Sequence, residues 1–412
     1  MCCQPRHRVD RRQPRFAVRG ADRARTPRCA HRFRAAGRRP HRRVRNGRSG
    51  PGEPCPPRAH PGGRHRAIRC GAQACVTAMG SPTLVTARAP GRVVLIGDHT
   101  DYTGGLVCPM AIDRWTTASG VRGGSGLSLA SADEPEPLDV GLPVTRPDAI
   151  TPTWGRYAAG VAAELGVVEG LQGTVSTTIP IGAGLSSSAA LELAVALALG
   201  FDGTPRELAR LCQRAENTAT GLPSGILDQL TSACGVDGHA LVMDCTTLDI
   251  EPLPVPDHAV VQVLFVTQRR LVGSPYADRV AQCAAAEAVI GPLRTADIGT
   301  LNAIEDAMLS RRARHVITEN RRVRDFAGAL RAGDLNDAGA LMLEGHESLR
   351  VDYETSTAAM DEAVRSLSAL RGVYGARMTG GGFGGCVVAL TEPGTQIPNA
   401  WVVRPTAGAS RA

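Results

Sequence analysis

The chain reads as an α/β (α+β) fold, and two observations carry that reading. Short apolar runs such as Val93–Ile96 and Val260–Thr267 alternate with longer stretches of helical spacing such as Trp154–Leu165 and Pro205–Thr218. From Asp278 to about Leu370 the helical spacing is nearly continuous, broken near Gly291–Thr295 and Gly333. At 412 residues there is room for one large domain or two ordinary ones. Aromatic residues make up only 3%, so the core is expected to be built from Ala, Val, Leu and Ile.

Taken in order, Thr83–Ala87 and Val93–Ile96 are expected strands, separated by an Ala-Pro-Gly break. Ser125–Glu136 mixes Gly, Ser, Pro and acids and predicts a hairpin or loop. Trp154–Leu165 predicts a helix and Gly173–Thr178 a strand. A Gly-rich turn follows, then an apolar helix to about Leu199 and a second helix over Pro205–Thr218. Ala240–Met243 and Val260–Thr267 are expected strands, and Pro252–Pro256 is the expected boundary between two lobes. Gly375–Leu390 predicts strand, glycine loop, strand.

All 47 basic residues are Arg; there is no lysine. This excludes Schiff-base and pyridoxal-phosphate chemistry and the P-loop of the GxxxxGK[ST] kind. Phosphate, if handled, must meet backbone N–H groups, helix dipoles and Arg. The formal charge of +8 is unevenly spread. Residues 1–78 hold 21 Arg and three acids (Asp10, Asp22, Glu53), a net of +18, which leaves −10 on the rest. The body therefore has no nucleic-acid or membrane character.

Residues 1–78 lack periodicity and are expected to be a disordered tail. The plainest reading is a start codon placed upstream of the true one, near Val76 or Met79. A polyanion-binding arm is a second reading. A metal site on His60, His65, Cys70 and Cys75 is a third, although their spacing misses the usual zinc pattern. The six body cysteines (Cys108, Cys212, Cys234, Cys245, Cys283, Cys386) form no CxxC and suit a reducing cytoplasm. The longest apolar run, Ala189–Leu199, is too short to span a membrane and carries Glu192.

Four segments carry chemistry. In Pro180-Ile-Gly-Ala-Gly-Leu-Ser-Ser-Ser-Ala-Ala190, two glycines let a ligand approach the backbone, and Ser186, Ser187 and Ser188 meet a helix N-terminus, an anion site. An ordinary N-cap needs only one serine. In Gly375-Ala-Arg-Met-Thr-Gly-Gly-Gly-Phe-Gly-Gly-Cys386, five glycines in six positions weaken the strands unless something must come close. In Arg88-Ala-Pro-Gly-Arg-Val-Val-Leu-Ile-Gly-Asp-His-Thr-Asp-Tyr102, the cluster Arg92, Asp98, His99 and Asp101 around Gly97 suits a polyol. The fourth runs from Glu216 on the second helix to Asp228, which follows a Gly-Pro turn among Ile226 and Leu227. An Asp in that setting needs a partner, and Arg92 is the candidate.

In this order the segments resemble the galactokinase branch of the GHMP small-molecule kinases, over roughly Val85 to Leu390. The resemblance implies a two-lobed fold. An N-terminal lobe over 79–255 has a mixed sheet and helices; a ferredoxin-like C-terminal lobe with added helices covers 256–412; the site lies between them. It implies ATP and Mg²⁺, with Gly182, Ala183, Gly184, Leu185, Ser186, Ser187 and Ser188 around the phosphates. Ser187 or Ser188 with Glu216 is implied to hold the metal. Asp228 is implied to face the anomeric hydroxyl beside Arg92. Asp98, His99, Asp101, Gly225 and Tyr276 are implied to bind the remaining sugar hydroxyls.

The chain departs from the family where Asp98 replaces the usual Glu, where Val94 replaces the usual Asn, and in the shorter end over Trp401–Ala412. The expected activity is galactose 1-phosphorylation by a cytoplasmic monomer without nucleic-acid or membrane partners. The alternatives are a kinase for an amino sugar, an arabinose or a uronic acid, and a non-catalytic sugar sensor.

The charge split generates a first prediction. Deleting residues 1–78 leaves sugar-dependent ADP release unchanged; a loss of kcat/KM beyond about tenfold, or ~1.4 kcal/mol, would place the tail in the enzyme.

Overall fold

Two long antiparallel strands, β1 (Thr83–Ile96) and β2 (Leu106–Arg122), form the spine of the first sheet. The computed structural model describes residues 83–269 and 273–412. The Arg-rich segment, its candidate His and Cys ligands and the proposed internal starts lie outside these. The expected break at Ala-Pro-Gly is instead a bulge between Pro90 and Gly91 inside one continuous strand. Proline lacks a ladder donor, and a bulge is where a strand tolerates that. The bulge has a use: a Cβ on Gly91 would lie 2.7 Å from the Leu185 carbonyl, and the Arg92 N–H donates to that same oxygen at 3.1 Å.

The chain continues through the hairpin β3 (Gly126–Ser131) and β4 (Leu138–Gly141), helix α1 (Gly155–Leu165), β5 (Leu171–Thr177) and helix α2 (Ser187–Ala198). Then come α3 (Pro205–Thr220), α4 (Leu227–Cys234), β6 (His239–Asp244) and β7 (Ile250–Pro254). The α4 turn is one that sequence periodicity left as a loop. Thr204 opens α3 with a reciprocal cap to Glu207, Pro205 follows, and Gly221 closes the helix in the left-handed region.

The second half runs β8 (Val260–Thr267), α5 (Tyr276–Ile290), α6 (Ala307–Ala332), α7 (Leu335–Val351), α8 (Ala358–Ser368), β9 (Val373–Met378), β10 (Gly385–Thr391), β11 (Ala400–Val403) and β12 (Ser410–Arg411). The first sheet has the order β12-β1-β2-β5-β3-β4, with β6 on β2 and β7 on β6; only β3 and β5 run parallel. The second is antiparallel, β11-β8-β10-β9.

A cut at Pro252–Pro256 does not divide the body cleanly. Pro252 and Pro254 belong to β7, and the chain enters the second sheet through residues 255–259. Strand β12 returns to pair with β1. Helix α6 also serves two cores: Ala313 and Val316 pack in one, Val323, Phe326 and Leu330 in the other. Helix α7 lies directly on β9, because Gly339 and Gly375 meet with no room for a Cβ on either.

His315 of α6 sits buried at the junction, with Nδ1 2.9 Å from Ser348 Oγ and Nε2 3.1 Å from the Asp98 carbonyl oxygen. Burial pushes it down to about 4. Between about pH 6.5 and 4 the unfolded chain binds a proton here that the folded chain refuses, so stability falls as pH falls. One such group contributes about 1.4 kcal/mol per pH unit within that window. Denaturant unfolding at pH 7, 6 and 5 is expected to show His315→Gln with a shallower pH slope than wild type; equal slopes would contradict this.

Candidate active site

The turn between β5 and α2 is built for close approach. Gly182 and Gly184 take positive φ (74° and 77°), and so does Ser186 (62°). No side chain caps α2, so its first N–H groups keep their positive end available to an anion. Ala183 and Leu185 are buried in the core and, unlike Gly182, Gly184 and Ser186, do not line the cavity. The second glycine loop closes over this turn. A Cβ on Gly380 would lie 3.0 Å from the Gly184 carbonyl oxygen, and one on Gly385 2.9 Å from that of Ala183.

Arg92 and Asp228 meet beneath the turn, as their sequence contexts predicted. Arg92 Nε donates to Asp228 Oδ1 at 2.7 Å, and Nη2 approaches the same oxygen at 2.6 Å. Nη1 donates to the Gly184 carbonyl at 2.7 Å, so one guanidinium ties β1, the glycine turn and α4 together. Asp228 stands in the first turn of α4, where the helix dipole favours an anion. The Ser186 hydroxyl donates to Asp228 Oδ2 at 2.6 Å. Ser186 therefore serves the carboxylate in this structure, while its neighbours line the cavity above.

Glu216 on α3 accepts from Ser188 Oγ at 3.0 Å, from Ser224 Oγ at 3.2 Å and from Gln229 Nε2 at 2.8 Å. Burial, then the charge of Asp228, pushes Glu216 above its ordinary value. Ser187 lines the same cavity, but it is Ser188 that touches Glu216.

The expected sugar residues surround the cavity beside Asp228. His99 is buried, with Nδ1 3.0 Å from the Tyr102 hydroxyl and Nε2 without a partner. Burial, then the charges of His315 and Arg279, holds it far below its ordinary value, so the ring is neutral. Asp101 is pushed up to about 6, first by burial and then by Asp228. Gly225 is needed beside it, because a Cβ there would lie 1.8 Å from Asp101 Oδ2. Tyr276 opens α5 and stacks near His99, ring centroids 5.7 Å apart. Asp98 lines the cavity, but protein donors hold both its oxygens: Gly380 N–H on Oδ1 at 2.8 Å and Arg377 Nη2 on Oδ2 at 3.0 Å. Burial pushes it up to about 7 against the pull of Arg377. Val94, the other departure, lines the same cavity, and its backbone N–H donates to Thr379 Oγ1 at 2.7 Å.

The expected site residues other than Ala183 and Leu185 line one cavity of about 330 Å³. Sequence reasoning missed two of its parts. One is an apolar wall from α1, β5 and α2, with Trp154, Tyr157, Val175 and Leu191. Helical spacing located α1 but could not show that its Trp and Tyr face a cavity. The other is Arg269, just after β8, whose Nη1 is buried without a partner and faces Gly184 and Gly380. Burial, then Arg92, disfavours its charge. The absence of lysine was the available signal, since phosphate chemistry then calls for arginines at strand ends.

Comparison with known proteins places this geometry. Family models match residues 76–122 as the galactokinase galactose-binding signature, 155–236 as the GHMP kinases N terminal domain and 326–402 as the GHMP kinases C terminal region. A galactokinase of Homo sapiens is 42% identical over 327 residues, 74% of this chain and 83% of that one. One from Chloroflexus aggregans is 40% identical over 337 residues, 76% and 85% of the two chains. The solved structure of Lactococcus lactis galactokinase complexed with galactose matches at TM-score 0.73 and 30% identity, covering 80% of this chain and 95% of that one. A mevalonate kinase structure matches at TM-score 0.56 and 20% identity, a likeness of fold alone. With the signature, both GHMP regions and relatives this similar along most of their length, the chain belongs to the galactokinase family.

Proposed function

We propose that this chain transfers the γ-phosphoryl group of ATP to the anomeric hydroxyl of galactose, giving galactose 1-phosphate and ADP. The observation that carries the reading is the Arg92–Asp228–Ser186 cluster, set where the glycine turn meets the polar cluster around His99 and Asp101 in one cavity. The new bond joins the anomeric oxygen to the γ-phosphorus, and the bond to the β,γ-bridging oxygen breaks. Such a transition state is loose, so the protein's work is positioning and charge neutralisation.

Asp228 faces the attacking hydroxyl and takes its proton, or stabilises its departure, while Arg92 and Ser186 fix the carboxylate. The Gly182–Ser188 backbone and the α2 N-terminus hold the phosphates, with Arg269 as a second guanidinium on the transferred group. The apolar wall at Trp154 and Tyr157 takes the nucleotide base. His99 Nε2, Asp101 and Tyr276 bind sugar hydroxyls, and Gly225 leaves room for Asp101.

The donor set fits Mg²⁺. Ser188 and Glu216 would offer hard oxygen ligands, and the charge of Asp228 adds to the cost of charging Glu216, which a divalent cation would relieve. No cluster of three acidic, His or Cys ligands exists among the described residues, and Mg²⁺ does not need one, because it shares its shell with waters and substrate phosphates. When bound, the ion neutralises charge developing on the phosphates. The reading as a cytoplasmic monomer rests on a site assembled from one chain and on free cysteines throughout the described residues. No described helix is long and apolar enough to cross a membrane.

A sugar panel with ATP and Mg²⁺ tests the proposal: ADP release should require galactose. Release driven by an amino sugar, an arabinose or a uronic acid instead would keep the kinase and change the substrate. No release with any sugar would favour the sensor.

Two further outcomes follow from the site. Asp228→Asn keeps size and removes charge, so kcat should fall by about 10²-fold or more with ATP affinity nearly intact. A variant retaining over a tenth of wild-type kcat would remove Asp228 from the chemistry. Ser188→Ala and Glu216→Gln should each raise the Mg²⁺ concentration for half-maximal rate, and unchanged titrations in both would move the metal elsewhere.

A further inference from the structure

Under the sugar pocket lies a group of charges that no part of the mechanism uses. Arg377 of β9 is fully buried, as is Glu319 of α6, and Asp98 is 2% exposed. Arg377 Nη1 donates to Glu319 Oε1 at 2.9 Å and Nη2 to Asp98 Oδ2 at 3.0 Å. Glu319 Oε1 also accepts the Gly97 N–H at 2.9 Å, and Oε2 accepts from Arg322 Nε at 2.7 Å. Asp98 Oδ1 accepts the Gly380 N–H at 2.8 Å. Two cations and two anions thus balance within the fold. Room for them is reserved: a Cβ on Gly345 of α7 would lie 2.5 Å from Arg377 Nη1.

The cluster joins three segments distant in sequence: the Gly97–Asp98 turn, α6, and β9 with the Gly380 loop that follows it. Each adjoining residue has a neighbour in the cavity. Asp98 precedes His99, and Gly380 and Gly381 line the wall. A buried guanidinium with two carboxylate partners has one geometry, because its donors form a rigid planar fork.

We infer that Arg377 is a positioning residue for the sugar pocket, acting through Asp98 to hold the His99 turn and the Gly380 loop in register. The inference rests on the galactokinase reading of that pocket. Asp98 is then a strut rather than a hydroxyl acceptor. Each of its oxygens accepts one protein donor, and Asp, where the family usually has Glu, spans the gap between Arg377 and the Gly380 amide. Loss of Arg377 frees the turn that aims His99 Nε2 and Asp101 and leaves the ATP wall at Trp154 and Tyr157 untouched. A merely structural ion pair would instead reduce the folded fraction and leave both KM values alone.

The test compares wild type, Arg377→Lys and Asp98→Glu at pH 8, measuring thermal midpoint, kcat, and KM for galactose and ATP separately. Lys keeps a positive charge but cannot fork to two carboxylates. Arg377→Lys is expected to raise KM for galactose at least tenfold with KM for ATP within twofold. Asp98→Glu is expected to leave KM for galactose unchanged or raised, since the added methylene crowds Arg377.

A lowered thermal midpoint in Arg377→Lys with KM for galactose within twofold of wild type would overturn the inference. So would a lower KM for galactose in Asp98→Glu, which marks Asp98 as a direct ligand that was too short. If Arg377→Lys does not fold, the Asp98→Glu result decides; failure of both variants to fold would mark the cluster as purely structural and overturn the inference. Wild type inert with galactose would sink the galactokinase reading by itself, separately from these comparisons.

Discussion

One guanidinium holds the reaction centre together. Arg92 gives its backbone N–H to the Leu185 carbonyl, Nη1 to the Gly184 carbonyl and Nε to Asp228. Its side chain is 3% exposed and that of Asp228 30% exposed, so the pair is buried on the protein side and open on the cavity side. Removing one member of such a buried pair costs about 3–5 kcal/mol, because the other charge is left unmatched. The same contacts fix the glycine turn, whose positive-φ residues have no regular hydrogen-bond ladder of their own. Binding geometry and fold stability therefore share one side chain.

The absence of lysine shapes the rest. Arg92 and Arg269 flank the glycine turn, and Arg377 and Arg322 neutralise the buried carboxylates Asp98 and Glu319. Burial alone would raise Glu319, yet Arg377 and Arg322 outweigh it and hold this carboxylate well below its ordinary range. A planar fork suits Arg92 and Arg377 better than an ammonium, since each bridges groups on different segments. Of the buried side-chain nitrogens without a partner among the described residues, Arg269 Nη1 and His99 Nε2 belong to residues that line the cavity. A buried polar atom without a partner is costly.

Helix α6 explains why the two sheets behave as one body. Its N-terminal half packs in the core of the second sheet and its C-terminal half in that of the first, with His315 and Glu319 between. Both residues bond to the Gly97–Asp98 turn, so the long helix reaches the sugar pocket without contributing a side chain to its wall.

The sequence by itself determined the family, the chemistry-bearing motifs and part of the element order; β2, α4, β7, β11 and β12 had no counterpart in the local pattern. What was legible depends on local facts: hydrophobic period, glycines that only special dihedrals explain, serines at a helix start, and an Asp in an apolar setting that demanded a partner. Arg92 was a candidate for that partner from its place in the Arg88–Tyr102 motif. What only the tertiary structure decided was which long-range partner each polar atom took. Asp98 and Arg377 are 279 residues apart, and no local pattern links them. Trp154 and Arg269 carried no motif, and their role appears only where α1 and the end of β8 converge on the glycine turn. The Ala-Pro-Gly break became a bulge within one strand for the same reason: propensity is local, whereas the Leu185 carbonyl that occupies the space at Gly91 comes from a segment 94 residues later.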